Sequence, residues 1–133
     1  MSDKKTILLV EDEELMLVPL AEKLSNQGFK VIKAHDGEEG LAKALENHPD
    51  LVILDIIMPK MDGMTAMKKI REDEDWGKDV PIIMLSNLSD PDKISDAANY
   101  NVFDFLVKTD WKLDDVVDFI KQKLEMNFIN LSS

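Results

Sequence analysis

Asp50-Leu51-Val52-Ile53-Leu54-Asp55-Ile56-Ile57-Met58-Pro59-Lys60-Met61-Asp62-Gly63 is the stretch whose reading decides the fold. Leu51 to Leu54 is a continuous aliphatic run. A short strand that is apolar on both faces must be covered on both faces, as strands of a parallel sheet flanked by helices are. The run stops at Asp55. Pro59 and Gly63 then fix a turn, and Met64, Met67 and Ile70 follow at helical spacing, so the stretch reads as one strand, one turn and the start of a helix.

The same unit recurs on either side. Thr6 to Val10, Lys30 to Ala34, Pro81 to Leu85 and Phe103 to Val107 read as further strands, with helical spacing between them, as in Leu41, Ala42 and Leu45 after Asp36-Gly37. Leu113, Val116, Val117, Ile120 and Leu124 form a closing amphipathic helix, acidic early and carrying Lys121 and Lys123 late, as the helix dipole prefers. Five strands alternating with five helices predict an α/β fold, a doubly wound (βα)5 parallel sheet built with right-handed crossovers and helices on both faces. Lys30-Val31-Ile32-Lys33-Ala34 alternates in polarity and belongs at an edge. Ser89-Asp90-Pro91 supplies a cap and a first-turn proline for the fourth helix, whereas Pro19 falls inside the first and should bend it. One domain, residues 6–126, is expected between tails at 1–5 and 127–133.

The 133 residues suit a single compact domain, and 44% hydrophobic with 32% charged residues is ordinary globular composition. No apolar run approaches the roughly 18–20 residues of a membrane span, and Met1-Ser2-Asp3-Lys4-Lys5-Thr6 does not lead into a secretory h-region. A cytoplasmic protein without membrane insertion is expected. The chain has no cysteine, which excludes thiol catalysis and thiolate metal sites, and two histidines, His35 and His48, are too few for a histidine-rich centre. Any metal must be hard and oxygen-bound. With Lys+Arg 16 against Asp+Glu 27, the net charge of -11 opposes direct nucleic-acid binding.

Ligands of open parallel sheets bind beyond the carboxyl ends of the strands, so the residues that follow each apolar run carry the chemistry. Glu11 and Asp12 follow the first, Asp55 the third and Ser86 the fourth, and the fifth ends at Lys108. Each alone has a plain structural reading. Glu11-Asp12-Glu13-Glu14 suits a helix start, Ser86 a turn, and Lys108 a solvated charge. Asp55 resists such a reading, because a carboxylate ending the most apolar strand needs a cation beside it. Three carboxylates, a hydroxyl and an ammonium on one rim suit Mg²⁺ and phosphoryl transfer to a carboxylate, with Asp55 as nucleophile.

These residues carry a resemblance. Leu8-Leu9-Val10-Glu11-Asp12-Glu13, the Asp50 to Gly63 stretch, Pro81-Ile82-Ile83-Met84-Leu85-Ser86 and Asp104-Phe105-Leu106-Val107-Lys108 together resemble the response-regulator receiver domain of two-component signalling, over about residues 6–125. The resemblance implies a flavodoxin-like sheet of order 2-1-3-4-5. It also implies that Asp55 accepts phosphate from a sensor histidine kinase or histidine phosphotransfer protein, with Glu11, Asp12, Asp55 and the Ile57 backbone carbonyl holding Mg²⁺. Ser86 and Phe105 would be the switch pair, reshaping the face of the fourth helix, fifth strand and fifth helix for an effector protein. Phe105 equally suits plain core packing. Homodimerisation through the same face is a habit of the family. Such a domain is a signalling phosphoacceptor rather than a classical enzyme.

The chain departs from the family pattern in several places. Thr109 follows Lys108 where proline is usual, Asn87 follows Ser86 where a smaller residue is usual, and Asn101 replaces a frequent glycine while keeping access to the left-handed region. Ile57 and Leu88, two positions after Asp55 and Ser86, offer no polar group to orient water, so slow self-dephosphorylation is expected. A haloacid-dehalogenase-like hydrolase would want an aspartate where Ile57 stands. A nucleotide-binding fold would want a glycine-rich loop after the first strand. A degenerate receiver acting only as a docking module stays open. No output domain fits after the fifth helix, so the expectation is either a stand-alone receiver or a piece of a larger regulator.

Overall fold

The structure is a computed structural model in which residues 4–86, 91–108 and 112–132 are described, 126–132 by their backbone alone. The elements are β1 (Thr6–Val10), α1 (Glu14–Asn26), β2 (Lys30–Ala34), α2 (Gly37–Asn47), β3 (Leu51–Asp55), α3 (Gly63–Arg71), β4 (Ile82–Ser86), α4 (Pro91–Ala98), β5 (Asp104–Val107) and α5 (Leu113–Ser132). The five strands are parallel in the order β2-β1-β3-β4-β5, which puts β2 at an edge as its alternation predicts.

Successive side chains of a strand point to opposite faces, and both faces here are covered. Leu8, Val10, Val52, Leu54, Ile82 and Met84 pack with Ala44 of α2, with Ala66, Met67 and Ile70 of α3, and with Ala97 of α4. Ile7, Leu9, Leu51, Ile53, Ile83 and Leu85 pack with Leu17, Leu20 and Leu24 of α1 and with Val116, Val117 and Ile120 of α5. β3 is buried along its whole length, which is why its sequence runs apolar without alternation.

Local signals set most boundaries. Asp36 caps α2 by accepting from the Glu39 amide at 2.8 Å, and Asp62 caps α3 by accepting from the Thr65 amide at 2.8 Å. Asn101 sits at φ 60°, in the left-handed region that the sequence allowed it. Pro19 lies inside α1, so the Leu15 carbonyl lacks its intrahelical partner. Several boundaries differ from the sequence expectation: β3 ends at Asp55 rather than Leu54, β4 ends at Ser86 rather than Leu85, and β5 starts at Asp104 rather than Phe103. β4 starts at Ile82 because Pro81 has no N–H, although the Pro81 carbonyl still accepts from Val52 at 3.0 Å. Lys5, assigned to a tail, accepts from the Lys30 amide at 2.9 Å and extends the β1–β2 pairing. The segment 127–133, also assigned to a tail, is helical through Ser132, since neither glycine nor proline interrupts the backbone ladder there. Ser89 and Asp90 of the expected α4 cap, Asn87, Leu88 and Thr109 lie outside the described residues.

Candidate functional site

The pocket lies where β1, β3 and β5 end together. The Glu11 amide donates to the Ala34 carbonyl at 3.0 Å, which continues the β1–β2 pairing one residue beyond β1 and fixes Glu11 at the sheet edge of its loop. Asp55 is the last residue of β3, paired with Leu85. Lys108 follows β5, and its amide donates to the Ser86 carbonyl at 2.6 Å, so the β4–β5 pairing aims it. Glu11, Asp55 and Lys108 are 1%, 3% and 8% exposed, and they are the buried charged residues of the described chain.

The Lys108 ammonium is shared. Its Nζ lies 2.8 and 3.0 Å from the two Glu11 carboxylate oxygens, 3.0 Å from Asp55 Oδ2 and 3.5 Å from Glu13 Oε1. Asp12, exposed beside them, completes a trio with Glu11 and Asp55 whose oxygens lie within 4.8 Å of one another. The Ile57 amide reaches Asp55 Oδ1 at 3.4 Å, while the Ile57 side chain is 67% exposed at the mouth. Ser86 ends β4, half-buried, opposite Val107. Phe105 is half-buried in β5 opposite Met84 and packs on the core cluster shared with α2, α3 and α4.

The sequence readings of Glu11, Asp12, Asp55 and Lys108 thus converge in one pocket, with Ser86 and Ile57 at its edge. The sequence reading places Glu13 in an acidic helix start and in the family motif, with no side-chain role of its own. Glu13 does occupy the N-cap of α1, but its side chain makes no cap bond and turns instead to Lys108. Only the position of Lys108, brought from 95 residues away, reveals this role.

One ammonium cannot neutralise three carboxylates, and the electrostatics show it. Burial, joined by the neighbouring Asp55 carboxylate, pushes Glu11 up to about 8 despite Lys108. Burial and Asp55 also raise Asp12 above its ordinary value. Burial alone would lower Lys108, but its hydrogen bonds to Glu11 and Asp55 outweigh it and raise the ammonium above its ordinary value. A cluster of hard oxygens with surplus negative charge fits Mg²⁺. Glu11 therefore binds a proton in the folded state that it releases when unfolded, across the range from about 4.5 to about 8. Stability without Mg²⁺ should fall as pH rises through that window, by about 1–2 kcal/mol between pH 5.5 and 7.5. The lowered carboxylates Glu39, Asp73 and Asp114 act only in more acid solution, and the raised Lys108 only in more alkaline. Urea unfolding at both pH values, with and without Mg²⁺, checks this. Mg²⁺ should stabilise most at the higher pH, and a stability that rises with pH in its absence would count against a protonated Glu11.

Gly63 shapes the pocket from behind. Its amide donates to the Ile56 carbonyl at 2.8 Å, and a Cβ there would stand 2.1 Å from the Asp55 carbonyl oxygen. Gly63→Ala must displace the backbone that presents Asp55, at an expected cost of about 1–3 kcal/mol in urea unfolding.

A parallel α/β sheet with an acidic trio and a buried lysine paired to two of its members at the strand ends defines a narrow class of protein. The response regulator receiver domain pattern matches residues 7–121, and the chain belongs to that family. It is similar to the chemotaxis protein CheY of Bacillus subtilis (strain 168), 35% identical over 119 residues that cover 89% of this chain and 96% of that protein. It is also similar to the probable transcriptional regulator ycf27 of Porphyridium aerugineum, 40% identical over 105 residues covering 79% of this chain and 42% of that regulator. The chain spans less than half the length of the first transcriptional regulators it matches. Among solved structures, the complex of CheX, CheY, BeF₃ and Mg²⁺ from Borrelia burgdorferi aligns with TM-score 0.78 and 30% identity, covering 89% of this chain and 87% of that one. Membership of this family sets aside the dehalogenase and nucleotide-binding readings.

Proposed function

We propose that this receiver domain is a Mg²⁺-dependent phosphoacceptor whose acceptor is Asp55 and whose donor is a phosphohistidine on a histidine kinase or phosphotransfer protein. The observation that carries the reading is the buried Asp55 carboxylate held 3.0 Å from Lys108 within the acidic trio. Glu11, Asp12, Asp55 and the Ile57 carbonyl would hold Mg²⁺, which supplies charge neutralisation to the phosphoryl oxygens. A carboxylate oxygen of Asp55 attacks phosphorus as the P–N bond breaks, and the electron pair stays on the ring nitrogen, so the imidazole leaves as a neutral ring whose other nitrogen keeps its proton. Lys108 then turns from its carboxylates to a phosphoryl oxygen, and the Ser86 hydroxyl donates to another. That pull on β4 and β5, read through Phe105, would alter the face of α4, β5 and α5 that an effector protein or a second copy meets.

Leu15 at 93% exposure and Ile57 at 67% set apolar contacts around the pocket mouth, next to a cleft of Leu15, Met16, Pro19 and Leu113 beside Lys108. A protein donor can dock on them. The CheX–CheY complex supports the partner reading by analogy, and its Mg²⁺ supports the metal.

The test is intact mass after incubation with Mg²⁺ and acetyl phosphate. One phosphoryl increment, lost when Mg²⁺ is chelated, is expected, whereas a protein that binds Mg²⁺ yet gains no mass from acetyl phosphate or a histidine kinase is a docking module. Hydrolysis of the loaded protein should be slow, because the apolar Ile57 at the mouth orients no water. Ile57→Asn, which restores a polar group there, should shorten the phosphoryl lifetime about tenfold. An unchanged lifetime would remove Ile57 from the explanation.

A further inference from the structure

Four residues from the end of β2 to the start of α2 supply none of the pocket's carboxylates, yet they touch the segment around Glu11 and Asp12 and the loop that follows Asp55. The Ala34 carbonyl holds the Glu11 amide at 3.0 Å. His35 stands between two carboxylates, its Nε2 3.1 Å from Glu14 Oε1 in the first turn of α1 and its Nδ1 3.1 Å from Glu39 Oε1 in α2. Asp36 caps α2 and lies 3.8 Å from Nζ of Lys60, a residue at φ 68° in the β3–α3 loop. Gly37 is pressed on that same loop: a Cβ there would stand 1.9 Å from the Met61 carbonyl oxygen and 2.6 Å from its carbon. This turn therefore contacts both the segment that follows β1 and the loop that follows β3, the two stretches that line the pocket.

We propose that His35 and Gly37 are positioning residues that set the distance between the acidic pair Glu11-Asp12 and the Asp55–Ile57 segment, and thereby the affinity for Mg²⁺. The proposal rests on the reading of the trio as a Mg²⁺ site. Its physical basis is that a hard, octahedral cation tolerates little error in the separation of its oxygens, so groups that orient ligands govern affinity without touching the ion. Gly37→Ala drives the β3–α3 loop away from α2. His35→Gln removes the imidazole that ties the first turn of α1, directly after the β1–α1 loop, to α2 at a half-exposed position, where the fold has little at stake.

A merely structural glycine would lower stability without changing affinity, and the chain contains one for comparison. Gly77 is pressed on the Ile70 carbonyl as tightly, with a Cβ 1.9 Å from its oxygen, but in the α3–β4 loop, which supplies no carboxylate to the trio. Calorimetric titration with MgCl₂, alongside thermal unfolding, separates the two roles. Gly37→Ala should weaken Mg²⁺ binding about tenfold and His35→Gln about threefold, while Gly77→Ala loses stability and keeps its affinity within about twofold. Should Gly37→Ala fail to fold, His35→Gln carries the test. Wild-type binding with Gly37→Ala and His35→Gln both within about twofold of it overturns the proposal alone. No Mg²⁺ binding by the wild type overturns the metal reading on which it rests.

Discussion

Asp55→Asn gains no phosphoryl mass from acetyl phosphate and Mg²⁺ under conditions that load the wild type, and it is no less stable than the wild type at pH 7.5. The loss is complete because an amide is not a nucleophile toward phosphorus, and the other carboxylates of the pocket are poorly placed to replace it. Asp12 is exposed, and Glu11 is engaged at 2.8 and 3.0 Å by Lys108 and holds its proton up to about 8. Stability survives because asparagine keeps the shape and an oxygen acceptor for Lys108 while removing one of the charges that raise Glu11 and Asp12. Relief of that repulsion is worth about 1 kcal/mol, and the fall of stability between pH 5.5 and 7.5 should flatten with it. Intact mass and urea unfolding of the two proteins in parallel check both halves. A phosphoryl increment on the variant would place the acceptor elsewhere. A loss of several kcal/mol would mean that Asp55 contributes to the fold chiefly as the partner of Lys108.

Much of this was legible because it depends on neighbours in the chain. β1 and β2 have the limits that their apolar runs gave, and Asp36, Asp62 and Pro91 mark helix starts by local chemistry that needs no tertiary information. The strand-end rule placed Glu11, Asp12, Asp55, Ser86 and Lys108 on one rim, because parallel strands put all their carboxyl ends together. What was not legible is long-range. Glu13 turns from its own helix to Lys108, and Gly37 bears on the Met61 carbonyl. Arg71, silent in the sequence, donates at 2.7 Å to the carbonyls of Gly77, Val80 and Tyr100 and so ties the α3–β4 loop to the end of α4. The first depends on a side chain 95 residues away and the others on backbone groups that any residue type would supply, so local sequence holds no trace of them. The length of α5 escaped for the opposite reason, since a helix with no stop signal can end anywhere packing or solvent decides.

Lys108→Met should be the most damaging single change in the pocket, both to the fold and to phosphoryl transfer. The side chain is 3% exposed and faces Glu11 and Asp55, 1% and 5% exposed, so its removal leaves two buried carboxylates without a cation. Orphaned buried charge of this kind costs about 3–5 kcal/mol. The carboxylates can escape part of the cost by taking up protons, so the loss should be largest near pH 8 and smaller near pH 5.5, a steeper version of the wild-type dependence. Mg²⁺ should restore much of the stability at the higher pH, because a divalent cation bound by the trio replaces the missing charge. It should not restore the chemistry. A phosphoryl group on Asp55 would lack the ammonium that meets its oxygens, and removal of one such preorganised charge slows transfer about 100-fold. Lys108→Arg should recover stability only in part, since a planar guanidinium fork cannot fill a space shaped for a point charge shared among Glu11, Asp55 and Glu13. Urea unfolding across pH and the rate of mass gain from acetyl phosphate measure the two effects separately. A variant that is stable at pH 8 without Mg²⁺ would show that the carboxylates, not the lysine, set the electrostatics of the pocket, and a variant phosphorylated at the wild-type rate would reduce Lys108 to a structural counter-ion.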